Sequence, residues 1–124
     1  PFTSLEGILG KDTGTEPFNA PARQLDLIRV KQYGDYALPS LGTVPVNFLS
    51  TLDITGGNSG TAAMNSKAQL VGLLFDGVYE SIIGDWDFDE QKNRAISVDA
   101  RYMLWVMENM DGATNLLEEM TIVN

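Results

Sequence analysis

Apolar residues follow the two-residue alternation of strands in some segments of the chain and the wider spacing of helices in others. The β-branched and aromatic residues of 44–54 predict a strand that runs into a glycine-rich turn. The nearly continuous apolar run over 68–77 predicts a second strand, buried on both faces. Residues 77–84 and 94–99 predict two shorter strands, so most of the body is expected to be β-structure.

A helix is predicted over 19–34, after a first segment that is expected to be loop with one short strand. Asn19 is placed to cap this helix, Pro21 would lie in its first turn, and Gly34 would end it in a left-handed conformation. The expected apolar face of the helix comprises Leu25, Ile28 and Val30.

A second helix is predicted near the C-terminus, where residues 99–112 change to helical spacing. Gly112 lies just past its end, and Asn115 would cap a final short turn. The apolar stripe of this helix comprises Tyr102, Trp105, Val106 and Met110. The sequence therefore predicts a mostly β fold with a helix near each end.

The composition fits a globular domain and narrows its chemistry. Hydrophobic residues make up 44% of the 124 residues, and no apolar run approaches the roughly 20 residues that span a bilayer. Seventeen acidic residues against eight basic ones give a net charge of −9, which disfavours binding to nucleic acids and to anionic membranes. With no Cys and no His, the chain lacks disulfides, thiolate metal ligands and the commonest general base.

The turn after the first predicted strand contains Ser59 within the glycine-rich run TGGNSG. Glycine permits backbone conformations in which the N–H groups of Gly57 and Ser59 converge to form an oxyanion hole. One alternative is a hairpin turn with a surface serine. Another is a phosphate-binding loop, but the acidic net charge and the absence of a Lys after the glycines disfavour phosphate binding. A catalytic serine needs a base. Because the chain has no histidine, that base would have to lie outside it.

Three blocks in order carry a family resemblance: FLSTLDITGGNSG, GLLFDGVYESIIGDW and NRAISVDARYMLWVMENMDGATNLLEEMTIV. They resemble the C-terminal end of the bacterial dipeptidyl-peptidases of serine-peptidase family 46, which are chymotrypsin-like exopeptidases. The resemblance is strong over 48–124 and looser over the first 47 residues. One departure is Ala62, where the family usually has Pro.

The resemblance implies that 1–124 form a single partial domain, the C-terminal β-barrel of a double-barrel peptidase. The N-terminal barrel, which supplies the triad His and Asp, and an inserted helical domain would lie upstream of Pro1. The fragment alone is therefore expected to be inactive. The resemblance also implies a periplasmic or cell-surface location in a Gram-negative bacterium, peptide substrates, no cofactor and a possible homodimer.

The family pattern assigns roles to two residues after the second strand. Asp76 would bind the free α-ammonium of the peptide. This contact would fix the N-terminus so that the bond after the second residue is cleaved. Gly77 would lie at the pocket for the side chain before that bond, where Arg goes with acidic and Gly with apolar preference. Without the resemblance, Asp76 and Gly77 would be interpreted as a solvated hairpin turn.

The acidic segment 84–93 raises the question of calcium, because Asp85, Asp87 and Asp89 alternate. An EF-hand loop beginning at Asp85 requires Gly at its sixth position and Glu at its twelfth, where this chain has Glu90 and Ile96. A solvated acidic hairpin is therefore expected, and no metal site is predicted.

The favoured function is a serine dipeptidyl-peptidase that forms an acyl-enzyme on Ser59 and prefers an apolar residue before the cut. One alternative is an endopeptidase of the same fold, similar to the glutamyl endopeptidases, which would have no need for an amine-binding Asp76. A second alternative is a non-catalytic acidic β module that binds a partner.

Overall fold

The computed structural model describes residues 1–82 and 86–123. The chain divides into two compact units. The sheet unit comprises Pro1–Thr3 and Val46–Ala100, and the helical unit comprises Ser4–Pro45 and Arg101–Asn124. None of the described helices has the length and apolar character needed to cross a bilayer.

Five strands form one sheet in the order β1-β2-β5-β4-β3. β2 pairs with β5, β5 with β4, and β4 with β3, in each case antiparallel. The strands are β1 (Phe2–Ser4), β2 (Pro45–Ser50), β3 (Ala62–Met64), β4 (Leu70–Gly77) and β5 (Ala95–Asp99). The predicted mostly β fold with helices is confirmed. β1 and β3 stand at the two ends of the strand order, so closure of this sheet into a barrel stays a prediction.

The strands predicted over 44–54, 68–77 and 94–99 correspond to β2, β4 and β5. Two expectations about strands were wrong. The strand predicted over 77–84 is not found in its described part, because β4 ends at Gly77 and a 3₁₀ turn occupies Tyr79–Ser81. Residues 83 and 84 lie outside the described residues. The short strand β3, which follows the serine turn, was not predicted, because AAM offers no alternation to detect.

β4 is not buried on both faces as its apolar run predicted. Leu70 is 50% exposed and Phe75 47% exposed, while Leu74 is buried. Leu74 pairs with Ser97 and Asp76 pairs with Ile96, so the strand register shifts around Phe75 in a β-bulge. The bulge breaks the alternation of side chains beyond Leu74.

A close approach of backbone and ring explains the glycine in the middle of β4. A Cβ on Gly72 would lie 2.4 Å from the carbonyl oxygen of Val98 and 2.7 Å from Cε1 of Phe48. Phe48 lies on β2, two strands away, and its ring occupies the space that a side chain at 72 would need. Glycine at this position therefore allows the sheet to pack.

Helix α1 (Leu5–Lys11) occupies a segment that was expected to be loop. Two glycines within it lower its helix propensity, so the sequence pattern gave no signal. Its first residue, Leu5, is fully buried, and the Leu5 N–H donates to the carbonyl of Val44 at 3.2 Å. Tertiary packing in the helical unit thus stabilises this helix where local propensity does not.

Helix α2 (Ala22–Arg29) is shorter than the predicted 19–34. The cap position is Pro21 rather than Asn19, and Lys31, with φ +55°, adopts the left-handed conformation before Gly34 does. The apolar face is confirmed at Leu25 and Ile28, which are buried, but not at Val30, which is 72% exposed because it lies past the helix end. The cap positions of α2 are therefore Pro21 and Val30, not the predicted Asn19 and Gly34.

The C-terminal helix begins as α3 (Ala100–Trp105) and continues as a π-helical turn over Val106–Met110. Of the predicted stripe, Trp105 is fully buried and donates its indole Nε1–H to the carbonyl of Gln32 at 2.7 Å. Gly112, with φ +61°, ends the helix as predicted. A last helix, α4 (Thr114–Glu118), starts before Asn115, so Asn115 is not its cap.

Side-chain hydrogen bonds connect the elements of the helical unit. Gln24 of α2 donates to the hydroxyl of Tyr102 on α3 at 2.7 Å. Burial raises the pKa of Tyr36 to about 12, and the hydrogen bond to the Glu108 carboxylate contributes to the same shift. Tyr36 therefore stays protonated and acts as a donor inside this unit.

Candidate functional site

The loop that carries Ser59 is closed by one asparagine. The Asn58 N–H donates to the carbonyl of Thr55 at 3.2 Å, and the Thr55 N–H donates back to Oδ1 of Asn58 at 2.8 Å. Gly57, between them, has φ +97°, which residues with a Cβ rarely adopt. The glycines of this motif are therefore required by the turn itself.

The loop is also tied to β4 on its C-terminal side. The Gly60 N–H donates to the carbonyl of Leu74 at 2.7 Å, and the Leu74 N–H donates to the carbonyl of Thr61 at 2.9 Å. These two bonds hold Ser59 beside the end of β4. Because β4 also carries Asp76 and Gly77, the fold brings Ser59 close to these two residues, which follow it by 17 and 18 positions in the sequence.

Ser59 is exposed, as a nucleophile that meets a peptide must be. Within residues 1–82 and 86–123, neither the Gly57 N–H nor the Ser59 N–H donates to a protein acceptor. Both N–H groups can therefore donate to a ligand oxygen, as the predicted oxyanion hole requires. The chain contains no histidine, so a base for Ser59 in another part of the protein stays a prediction.

The β-bulge determines the direction of Asp76. Without it, Asp76 would share the face of Leu74, two residues earlier, which is buried against the partner position Ser97. The bulge at Phe75 instead pairs Asp76 with Ile96, and the Asp76 carboxylate is exposed. Its Oδ1 accepts the Gly77 N–H at 2.8 Å, which leaves Oδ2 for an external donor.

Gly77 lies against a compact wall. A Cβ at this position would lie 3.3 Å from Cδ1 of Ile54, 3.5 Å from Cβ of Ser81 and 3.6 Å from the carbonyl oxygen of Arg94. Hydrogen bonds fix part of this wall: the Val78 N–H donates to the Arg94 carbonyl at 3.0 Å, and the Arg94 N–H donates to Oγ of Ser81 at 3.0 Å. The space beside Gly77 therefore has defined boundaries.

A cavity of about 270 Å³ in the sheet unit joins these features. Ser59, Asp76 and Gly77 all line it, while Gly57 belongs to the same turn but not to the lining. The other lining residues are Ile54, Thr55, Gly56, Asn58, Leu74, Phe75, Val78, Ser81 and Ile82. No Lys or Arg is among these described lining residues. The cavity therefore offers a ligand one carboxylate, uncharged polar side chains and apolar side chains.

Sequence reasoning missed Ile54, Asn58 and Phe75 as parts of the site. Asn58 lies inside the serine motif, and its preference for turns was the available signal. Ile54 and Phe75 looked like ordinary strand residues, and only the register shift and the loop path bring them to the cavity.

The acidic segment shows no metal centre where it is described. Asp85 lies outside the described residues. The Asp89 carboxylate accepts the Gln91 N–H at 2.8 Å, and this bond lowers the pKa of Asp89, with a further contribution from Lys92. Within the described ranges, no three potential ligands among His, Cys, Asp and Glu cluster around a common point.

Comparison with known proteins relates this chain to a family. The Asp/Glu-specific dipeptidyl-peptidase of Shewanella putrefaciens is 44% identical over 144 residues, which cover 99% of this chain and 20% of the relative. The dipeptidyl-peptidase 7 of Phocaeicola vulgatus is 45% identical over 123 residues, covering 98% of this chain and 17% of the relative.

A solved structure shares the fold. The crystal structure of DPP11 from Porphyromonas endodontalis in complex with the dipeptide Arg-Asp matches with a TM-score of 0.91 and 34% identity, over 95% of this chain and 17% of that one. The chain thus spans a fifth or less of the length of these relatives. The model of the peptidase S46 family matches residues 1–122, so the chain belongs to peptidase family S46.

Proposed function

We propose that the full-length protein containing this chain is a serine dipeptidyl-peptidase, which releases dipeptides from free N-termini. One observation supports this proposal above the others: a single cavity is lined by Ser59, Asp76 and Gly77. A nucleophile, an anchor for an amine and a side-chain pocket are the three parts that such an enzyme requires.

Ser59 is the proposed nucleophile. Its hydroxyl oxygen attacks the carbonyl carbon of the second peptide bond, while a histidine from another part of the full-length protein takes its proton. The negative charge that develops on the carbonyl oxygen is stabilised by the N–H groups of Gly57 and Ser59, which have no acceptor within the described residues. The same histidine then protonates the leaving amine, and water hydrolyses the acyl-enzyme.

Asp76 is the proposed anchor for the α-ammonium of the peptide. Its exposed carboxylate keeps Oδ2 available after Oδ1 accepts the Gly77 N–H. A charge-assisted bond to an ammonium fixes the N-terminus, so the cut falls after the second residue. An N-terminally blocked peptide would leave this carboxylate without its partner and would bind less tightly.

We propose an apolar preference for the residue before the cut. The names of the relatives include both Asp/Glu-specific dipeptidyl-peptidases and dipeptidyl-peptidase 7, so they do not separate the two preferences. Gly77 supports the apolar one, because it supplies no positive charge, and the neighbouring cavity residues Ile54, Val78 and Ile82 are apolar.

Labelling with a fluorophosphonate tests the proposed nucleophile. The full-length protein should form a covalent adduct, and Ser59→Ala should abolish it. Ser66→Ala is the matched control, because Ser66 is also an exposed serine in a turn but lies outside the cavity. An adduct that persists in Ser59→Ala would contradict the role of Ser59 as the nucleophile. No adduct on the unsubstituted full-length protein would favour the acidic binding module over an enzyme.

Paired substrates test the anchor and the rival endopeptidase. A free peptide should be cleaved at least ten times faster than its N-acetylated form, since a hydrogen bond to a charged group contributes about 1.5–3 kcal/mol. Asp76→Asn should reduce this difference, whereas Asp53→Asn, an exposed carboxylate outside the cavity, should not. Equal cleavage of both peptides would favour an endopeptidase.

We also propose that the protein is located in the periplasm or at the cell surface of a Gram-negative bacterium, in line with the family resemblance. Fractionation of cells followed by fluorophosphonate labelling tests this location. Label found in the cytoplasmic fraction would contradict it.

A further inference from the structure

Ile54 lies at the start of the loop that carries Ser59, and the proposed function gives it no role so far. It lies in the irregular segment between β2 and β3, five residues before Ser59, and it lines the cavity. Its Cδ1 would lie 3.3 Å from a Cβ at Gly77, the shortest of the contacts that such a Cβ would make. The terminal methyl group of Ile54 therefore borders the space that Gly77 leaves open.

We infer that Ile54 determines the size limit of the pocket for the substrate side chain before the cleaved bond. This inference rests on the proposed dipeptidyl-peptidase function and adds a specificity-determining residue to it. Gly77 provides the opening of the pocket, and the δ-methyl group of Ile54 sets how far an apolar side chain can enter.

The other boundary of this space is less easily moved. Ser81 belongs to the 3₁₀ turn, and its Oγ accepts the Arg94 N–H at 3.0 Å, while Arg94 also accepts the Val78 N–H through its carbonyl. These bonds connect the turn to the residue that precedes β5. A change in pocket size is therefore expected from substitution at Ile54 rather than from movement of the turn.

The chemistry of Ile54 also restricts the ligand. A branched aliphatic side chain can offer van der Waals contacts but no hydrogen bond, and an ionised substrate side chain placed against it would lose hydration without compensation. A substrate with an apolar residue before the cut gains contacts there, and its size decides how well it fits.

The test compares three dipeptidyl-aminomethylcoumarin substrates that differ only in the residue before the cut: Ala, Leu and Phe. Ile54→Val removes one methyl group, so the kcat/KM ratio of Phe to Ala should rise by about tenfold, the low end of what one methylene contributes in an apolar pocket. Ile54→Phe should lower the same ratio. A smaller folded fraction of a variant lowers its apparent kcat/KM for every substrate by the same factor, so the ratio between two substrates does not change.

A double-mutant cycle tests the contact itself. Gly77→Ala adds a Cβ 3.3 Å from the δ-methyl group of Ile54 and should reduce kcat/KM for the Phe substrate. Ile54→Val removes that methyl group, so the double variant should recover most of the loss. Additive effects of the two substitutions would overturn the inference that these residues share one space.

Ile122→Val is the matched control, because it removes the same methyl group from an isoleucine of the helical unit that does not line the cavity. Its substrate ratios should equal those of the unsubstituted protein. Hydrolysis of all three substrates with ratios unaffected by Ile54→Val would overturn this inference alone. No hydrolysis by the unsubstituted full-length protein would overturn the proposed function and this inference with it.

Discussion

The helical unit and the sheet unit bury different kinds of side chain. Large apolar side chains are buried in the helical unit: Leu5, Leu25, Ile28, Tyr36, Val44 and Trp105. The helical unit also buries the polar residues Gln24 and Thr43. Among the described residues, the sheet unit buries one large apolar side chain, Leu74, and otherwise smaller or polar ones: Ala63, Ala95, Asn93, Ser97 and Asp99. The helical unit thus depends on apolar burial, while the sheet unit depends on strand pairing and backbone geometry.

The candidate site belongs to the sheet unit. Its loop is fixed by backbone hydrogen bonds and by Asn58, and its cavity has exposed apolar residues at the rim, such as Phe75 and Ile82. Exposed apolar side chains beside a cavity are suited to contact with a ligand rather than to folding. Substitutions in the helical unit should therefore change stability, and substitutions in the loop should change activity.

The largest effect on stability is expected from Trp105→Ala. Removal of this fully buried indole leaves a cavity and an unpaired Gln32 carbonyl, and should cost about 3–5 kcal/mol. Amide hydrogen exchange of residues 22–29 in the full-length protein measures the loss. Trp86→Ala, at a 93% exposed tryptophan, is the control and should change little. Equal effects at both positions would remove the distinction between the units.

Asn58→Leu should act on activity rather than on stability. It removes the Oδ1 acceptor of the Thr55 N–H, so the turn that holds Gly57 loosens and kcat falls by up to about a hundredfold. Asn58→Asp keeps an acceptor and should retain most of kcat. Asn65→Leu is the control, because Asn65 closes the β3–β4 turn through similar bonds outside the cavity. A change in KM alone for Asn58→Leu would contradict this prediction.

Gly72→Ala tests whether backbone geometry limits the stability of the sheet unit. The new Cβ would meet the Val98 carbonyl at 2.4 Å, so the strands must move apart at a cost of about 1–3 kcal/mol. Gly10→Ala is the matched change in the helical unit. Its Cβ meets nothing within 4 Å, so helix propensity should stabilise α1 by about 0.5–1 kcal/mol. Urea unfolding should show a lower free energy of unfolding for Gly72→Ala and a higher one for Gly10→Ala than for the unsubstituted protein.

The smallest effect concerns a polar contact of the helical unit. Burial by itself raises the pKa of Glu6, but the hydrogen bond from the Tyr33 hydroxyl and other bonds lower it below its ordinary value. The carboxylate therefore stabilises this unit above the ordinary pKa of Glu, and the contribution disappears as the pH falls through the lowered pKa. Glu6→Gln should remove that part of the pH dependence.

Urea midpoints measured between pH 3 and pH 7 check the effect of Glu6. The difference between Glu6→Gln and the unsubstituted protein should shrink as the pH falls. Tyr33→Phe, which removes the donor, should behave like Glu6→Gln. A difference that grows toward low pH would have the wrong sign and would contradict the assignment.

Local patterns allowed the prediction of several elements and of the site motif. Apolar runs predicted β2, β4 and β5, and helical spacing predicted α2 and the helix that contains Trp105. The glycines around Ser59 predicted a turn that presents a serine, and three spaced blocks indicated the family. These features depend on residues near one another in sequence, so the sequence contains their signal.

The structure decided the features that depend on distant partners. Helix α1 forms because Leu5 is buried, although its glycines disfavour a helix. Asp76 becomes exposed because pairing with β5 shifts register at Phe75, and Ile54 reaches Gly77 because the loop passes beside β4. Register and loop path are set by contacts between residues far apart in the chain. The sequence therefore determined which residues are candidates for the chemistry, and the tertiary structure decided which of them meet.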